Sequence, residues 1–341
     1  MKILFLSHRF SPDLGGIEVN SEILAGEFAS AEHEVRLMTW SVDANNTHFP
    51  YSVIRNPSLR EVWNQHRWAD VVYENNICLR LSWPAALLRK PSVVALRTWV
   101  SRMDGRIGFQ DRLKHLWLSR SKGVIAVSER VRERCWRTAE VIGNPYRTDL
   151  FGLRPGVKRD CDFAFLGRLV SDKGADLAIR TLRELLNRES CQDEIGLSII
   201  GEGPERGSLE QLATDLKVDR LVRFTGSLRG DALADCLNRH RFLWVPSRWE
   251  EPFGNVALEG MACGCIPIVS DGGGLPDAVG DAGLVFKRGD LNDMVAQSLR
   301  LLDGEDLCRQ LARAAEEHLK RHVPQKVAER YLEVIEAAVA K

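Results

Sequence analysis

The feature that most restricts this chain is an alternation that runs along it, pauses, and starts again. Short apolar runs of strand length are separated by longer stretches whose apolar residues recur every three or four positions. "KILFLS" at 2–7 reads as a buried strand. "IEVNSEILAGEFASA" then places Ile17, Ile23, Leu24 and Phe28 roughly on one helical face. Further strand-like runs are "HEVRLMTW", "ADVVYEN" (69–75), "SVVALRTW" (92–99), "GVIAVSE" (123–129) and "EVIGN" (140–144). Apolar strands joined by helices predict a parallel sheet covered on both faces.

The pause falls at 146–160, "YRTDLFGLRPGVKRD", which is polar, contains Gly and Pro, and lacks periodicity. The pattern restarts with "CDFAFLGRL" (161–169), a helix from about Gly174 to Arg188, and "IGLSIIGEGP" (195–204). "VRFTGSL", "HRFLWVPS" and "CIPIVSDGGG" add three strands with turns. A chain of 341 residues is long for one core. The expected division is 1–150, 151–322 and a final helix over 323–341 set apart by Pro324. The expected fold class is α/β, with two Rossmann-like domains facing across a cleft lined by the loops at the carboxyl ends of both sheets.

Composition narrows the function. Lys+Arg and Asp+Glu both number 47, so the whole molecule is no general polyanion binder. Residues 1–150 hold 21 basic against 16 acidic side chains, and the remainder 26 against 31. The eight cysteines show no CxxC pair and no zinc spacing, which fits reduced thiols. The start "MKILFLSHRFSP" is too short for a signal peptide, and no apolar run approaches the about 18 residues of a membrane span. The expectation is a cytoplasmic protein. Residues 97–137 carry eleven basic against four acidic residues, with Trp99, Trp117 and Trp136 between them. Two readings stand: a solvated face, or peripheral contact with the inner face of a membrane or with an anionic acceptor. No motif accompanies the charge that would point to nucleic acid.

The chemistry concentrates in "EEPFGNVALE" (250–259). Pro252 suits a first helical position, so a helix starting near Pro252–Asn255 would present free N–H groups to an anion. Glu251 precedes that end, and Glu259 lies about one and a half turns in. Carboxylates accept hydrogen bonds, so two of them at this spacing suit hydroxyls of two sugars with a phosphate between. The other reading of Glu259 is a solvated helix residue. "GRLVSDKG" supplies Gly167, Arg168 and Lys173 directly after a strand, cations fitted to phosphate oxygens. Gly15 and Gly16 of "DLGGIE", and Gly201 and Gly203 of "GEGP", let backbone approach a phosphate; a plain tight turn explains each equally. "DCD" at 160–162 mimics a metal-binding DxD but opens a strand, and reads as solvated charge.

Taken in order, "GRLVSDKGADLAI", "IIGEGPER", "VRFTGSL" and "VPSRWEEPFGNVALEGMACGCIPIVSDGGGLPDAVGDAGLVF" resemble the retaining GT-B glycosyltransferases of family four, the glycogen-synthase-like group 1 transferases. The resemblance implies that Glu251 holds donor-sugar hydroxyls and Glu259 the ribose. It implies that Arg168 and Lys173 stabilise the leaving diphosphate, and that Phe253, Gly254 and Asn255 lie along sugar and phosphate. Thr225, Ser227 and Leu228 then lie near the base. The implied activity is transfer of a sugar, with retention, from a UDP- or GDP-sugar to a saccharide or lipid-linked acceptor. The resemblance implies neither metal nor cofactor, and a final helix that returns to the first domain.

The first domain departs from the pattern. Asn75 and Arg97 stand where histidines are common in the family. Arg97 faces a donor or an acidic acceptor, or is a structural strand-end arginine. Glu74 is an available carboxylate, and His8 reads as a loop residue. Two other functions fit the same motifs: a sugar-nucleotide epimerase of GT-B fold, and a nucleotide-sugar-binding module without catalysis.

Overall fold

The computed structural model describes residues 1–340 apart from 14, 44–46, 101–107 and 189–194. The chain divides into two compact units, Met1–Pro145 with His322–Lys341, and Tyr146–Arg321. The stretch 146–160 is no free linker. Asn238 donates to the Gly152 carbonyl (3.0 Å) and accepts from the Arg154 amide (2.9 Å). Arg159 donates to the carbonyls of His240 and Cys263, both at 2.8 Å. Polar character here reflects side chains that sew an irregular segment onto the second unit.

The first unit holds β1 (Lys2–Leu6), α1 (Gly16–Ser30), β2 (Glu34–Thr39), β3 (Ser52–Arg55), α2 (Leu59–Trp68), β4 (Val71–Asn75), α3 (Leu79–Leu87), β5 (Ser92–Leu96), α4 (Phe109–Arg120), β6 (Gly123–Ala126), α5 (Glu129–Cys135) and β7 (Glu140–Val141). Its strands are parallel in the order β3-β2-β1-β4-β5-β6-β7. β4 and β5 are buried along their whole length, which is why their sequences are continuous rather than alternating. Phe5, Phe28 and Tyr73 interlock in the core, with ring centroids 4.7 Å apart for Phe5–Tyr73 and 5.8 Å for Phe28–Tyr73. α2 begins with a capping box in which Ser58 and Glu61 satisfy each other's amides.

The second unit holds β8 (Cys161–Leu166), α6 (Ala175–Leu186), β9 (Leu197–Ile200), α7 (Arg206–Asp215), β10 (Val222–Gly226), α8 (Gly230–Asn238), β11 (His240–Val245), α9 (Asn255–Ala262), β12 (Ile266–Ser270), α10 (Leu275–Val279), β13 (Leu284–Phe286), α11 (Leu291–Leu302) and α12 (Glu305–Lys320). The strands are again parallel, ordered β10-β9-β8-β11-β12-β13. Trp244 stacks on Phe163 at 4.0 Å, and its indole N–H donates to Ser298 (3.0 Å). Strand order reverses between β1 and β4 in one sheet and between β8 and β11 in the other. Crevices at the carboxyl ends of such neighbouring strands are where open α/β sheets bind ligands.

The last helix, α13 (Pro324–Ala340), belongs to the first unit. Proline at its first position costs no hydrogen bond. Val327, Ala328, Tyr331, Leu332 and Ile335 enter that unit's core beside Tyr73, whose ring lies 5.9 Å from Tyr331. Among the described residues, no helix is long and apolar enough to cross a membrane.

Candidate functional site

Two loops meet at the reversal point of the second sheet. One follows β8 and contains Gly167, Arg168 and Lys173. The other follows β11 and contains Ser247, Arg248 and Glu251. They are laced together through backbone and charge. The Arg248 and Trp249 amides donate to the Asp172 carbonyl at 2.8 and 3.1 Å. The Arg248 guanidinium forks onto both oxygens of Asp176, each at 2.7 Å. Gly174 sits between, with φ 74°, and a Cβ there would run into the Pro246 carbonyl oxygen. Only glycine allows the loops this close.

Lys173 and Glu251 come together across this seam. The Lys173 ammonium pairs with Glu251 Oε1, and Ser247 donates to the same oxygen at 2.9 Å. Both charged side chains keep part of their surface open to solvent. The backbone of Glu251 is held independently. It bridges Gly273, and its carbonyl accepts from the Gly274 amide at 2.7 Å. Gly273 has φ 68° and passes so near Glu251 that a side chain would not fit. Arg168 is exposed, with no side-chain partner among the described residues.

The helix after this loop starts later than the sequence suggests. α9 begins at Asn255, and Gly254, at φ 113°, precedes it. Pro252 therefore lies outside the helix. Gly254's left-handed backbone turns the chain into α9, and Leu275 packs against the position its Cβ would take. Phe253 is buried and Asn255 half-buried. Glu259 is the fifth residue of α9. It is flanked by buried Leu258 and Gly260, is itself half-buried, and has no side-chain hydrogen bond among the described residues. Desolvation pushes its carboxyl up to about 7. Half-buried, it keeps only part of its surface toward solvent.

The remaining glycine loops have a packing reason of their own. Gly201 and Gly203 run against the backbone of Gly167 and Leu169 so closely that neither tolerates a Cβ. The Gly167 amide donates to Ile200 (3.0 Å) and the Leu169 amide to Glu202 (2.9 Å). These glycines thereby hold the Arg168 loop in place. Thr225 donates to the carbonyls of Ile199 and Gly226. With Leu228 it lines a cavity of about 370 Å³ that also touches Cys161, Arg223 and His240. Those three lie at or near the amino ends of their strands, so this cavity belongs to the flank beside α8. Ser227 is exposed. Asp160 and Asp162 of "DCD" pair with Arg239 (3.0 Å) and Arg241 (3.4 Å).

The first-unit residues are enclosed within that unit, and Arg97 has the bonds of a structural strand-end arginine. Glu74, Asn75 and Arg97 are all buried. Arg97 donates from Nε to Asn75 (2.6 Å), and from its two terminal nitrogens to Asn144 (2.7 Å) and the Tyr73 hydroxyl (3.2 Å). Its guanidinium lies 5.1 Å from the Tyr331 ring. Asn75 donates to Ser21 (2.7 Å) and to the Ile17 carbonyl (3.2 Å). Glu74 accepts from the Cys78 amide (3.1 Å) and the Trp117 indole (2.6 Å). Desolvation nonetheless raises its carboxyl to about 7. This is a closed internal network: Asn75 spends its whole hydrogen-bonding capacity within it, and Arg97 commits three of its five donors. Gly15 and Gly16 open α1, where Gly15 lies against the carboxylate of Glu18. Of the basic stretch 97–137, residues 101–107 lie outside the described residues, and Trp99 is buried.

Residues 156–318 match the family model of glycosyl transferases group 1. These residues form a group 1 glycosyltransferase domain. The chain is 32% identical over 209 residues to D-inositol 3-phosphate glycosyltransferase of Corynebacterium jeikeium, covering 59% of this chain and 46% of that protein. An uncharacterized glycosyltransferase of Methanocaldococcus jannaschii is 38% identical over 115 residues, covering 34% and 28%. The match thus spans about half the length of these curated relatives, or less. In fold, the chain resembles Anabaena HepE solved with UDP, with a TM-score of 0.82 at 20% identity over 99% of this chain and all of that one. Sucrose-phosphate synthase of Thermosynechococcus elongatus superposes with a TM-score of 0.79 at 19% identity over 99% of both chains. The fold is GT-B, two Rossmann-like α/β units. The group 1 domain contains both loops, α9, and every residue of the Lys173–Glu251 seam.

Sequence reasoning alone missed Ser247, Asp176, Gly174 and Gly273. Asp176 and Arg248 carry no local signal, since their pairing joins residues far apart in sequence. Gly174, just before a helix, did carry one, because left-handed glycines are common at such junctions.

Proposed function

We propose that the chain is a retaining glycosyltransferase that moves a sugar from a UDP- or GDP-sugar to a saccharide or lipid-linked acceptor. Its product belongs to a surface polysaccharide or glycoconjugate. The observation that carries this reading is Glu259, a half-buried carboxylate without a hydrogen-bond partner among the described residues, eight positions after a Glu251 already gripped by Lys173 and Ser247. A desolvated acid left unpaired destabilises the fold, so its position calls for donors that arrive with a ligand. Ribose hydroxyls supply them. The structures of HepE with UDP and with UDP-glucose support a uridine donor on the same fold.

The chemistry then follows from the charges. The bond between the sugar's anomeric carbon and the diphosphate oxygen breaks, and its electron pair leaves with the diphosphate. Arg168 and Lys173 face that growing negative charge. Preorganised donors of this kind contribute about 10²–10³ each in rate in other enzymes. The acceptor hydroxyl bonds to the same face of the anomeric carbon and passes its proton to the leaving oxygen. No protein nucleophile is needed. Glu251 exchanges part of its contact with Lys173 for hydroxyls of the donor sugar.

A panel of nucleotide sugars tests this, with nucleotide release measured with and without saccharide acceptors. Release that grows with acceptor supports transfer. Isomerised donor would point to an epimerase, and binding without turnover to a non-catalytic module. Glu251→Ala is expected to abolish turnover with the fold intact by circular dichroism; full activity in that variant would remove Glu251 from the site.

A further inference from the structure

Helix α4 of the first unit is built inside out. Its acid, Asp111, is buried, accepting from the Gly108 amide at 2.9 Å and lying 3.8 Å from Lys114. Its solvent side instead carries Phe109, Leu113 and Leu116, exposed by 76%, 39% and 52%. Arg120 continues the same row at helical spacing, so the stripe runs roughly 16 Å. It ends at a cavity of about 560 Å³ lined by Ala85, Arg89, Trp117, Arg120, Lys122 and Val339. Leu87 and Val339 beside it are also exposed, at 67% and 43%.

The charge around this apolar surface has one sign. Across residues 79–100 and 108–122 the only acid is the buried Asp111. Arg89, Arg112, Arg120 and Lys122 are exposed and form no ion pair among the described residues. None of the cavity's lining residues is acidic. A water-facing helix normally hides its leucines and pairs its cations; here Leu113 and Leu116 are exposed, and Lys114 alone is paired among the described cations of α4.

We propose that this face docks on an anionic lipid bilayer, with Phe109, Leu113 and Leu116 entering the acyl boundary and a lipid phosphate headgroup seated in the Arg89–Arg120–Lys122 cavity. An apolar row flanked by unpaired cations is the pattern of helices that lie in a membrane interface. Long Arg and Lys stems reach past the apolar row to the phosphates. The contact differs from what the tryptophans of the sequence suggest, because Trp99 is buried and the Trp117 indole is bound to Glu74. It involves none of the residues assigned to sugar transfer and stands apart from that reading.

The test is co-sedimentation of the full chain with vesicles of phosphatidylcholine alone, or with a third of phosphatidylglycerol, at low and high salt. The expected result is binding to the anionic vesicles only, weakened by salt. Arg120→Glu with Lys122→Glu should lower partitioning by more than tenfold, since each cation near such a surface contributes about fivefold. Leu113→Glu with Leu116→Glu should do the same; all four side chains are exposed, so the variants are expected to melt like the parent. Equal binding to both vesicle types, or variants that sediment like the parent, would overturn the proposal. So would a dimer in sedimentation velocity that the leucine variant dissolves, which would make the face an interface between copies. Binding of free glycerol phosphate at this cavity without vesicle recruitment would likewise reassign it to a soluble anion.

Discussion

At the scale of single residues, Glu259 and Arg97 show opposite solutions to burying charge. Arg97 has every neighbour it needs within its own unit. Glu259 has no hydrogen-bond partner among the described residues, and its carboxyl rises to about 7. That carries a sign. A carboxyl whose folded value exceeds its unfolded value weakens the fold above the folded value, and the penalty fades as pH falls toward the ordinary range near 4.5. Glu259→Gln is therefore expected to stabilise the ligand-free protein at pH 8 by up to about 3 kcal/mol, and to gain nothing at pH 4. Glu74 also titrates near 7, but in both proteins, so the difference isolates Glu259. Ribose hydroxyls favour the ionised acid, so nucleotide affinity should rise with pH through 7 in the parent and lose that component in the Gln variant. Calorimetric titration across pH decides this; identical pH profiles would place the ribose elsewhere.

At the scale of elements, the two loops of the seam depend on backbone approach more than on side chains. Gly174 combines a left-handed φ with a carbonyl in the path of any Cβ. Gly174→Ala should destabilise the second unit by several kcal/mol by adding steric overlap to the left-handed strain. It should also lower nucleotide affinity, because Lys173 and Asp172 move with it. Gly207, in the first turn of α7 with open space around its Cα, is the control. Alanine there is expected to be neutral or to stabilise by up to about 1 kcal/mol. Thermal melts of both variants read the contrast. The same scale shows what the sequence made legible. Central strands such as β4 and β5 are buried on both sides, and their unbroken apolar runs announce them. β3 and β13 are edge strands; "SVIR" and "LVF" are short and partly exposed, so no comparable run marks them. The Gly201 and Gly203 loop was legible because backbone packed this closely demands glycine. Asn75 and Arg97 were not, since a polar residue at a strand end looks the same whether it faces a ligand or closes an internal network.

At the scale of the whole molecule, the chain crosses between its units twice, and α13 completes the core of the first. Arg97 is the point where β4, β5, the Asn144 segment and α13 converge. His322 reinforces it by contacting the Asn144 carbonyl at 2.8 Å, just before α13 begins. The proposed nucleotide ligands, in contrast, all lie in the group 1 domain. Two perturbations should therefore separate in a calorimetric melt. Arg97→Ala leaves buried Asn75, Asn144 and Tyr73 short of partners, a loss of about 3–5 kcal/mol by analogy with broken buried pairs. It should lower the transition of the first unit. Nucleotide at about 100 times its Kd should add about 2.7 kcal/mol to the unit that binds it and raise that transition. If the two units unfold independently, Arg97→Ala splits the melt into two peaks, and UDP moves only the upper one. A single peak that shifts as a whole under both perturbations would mean that the units unfold as one.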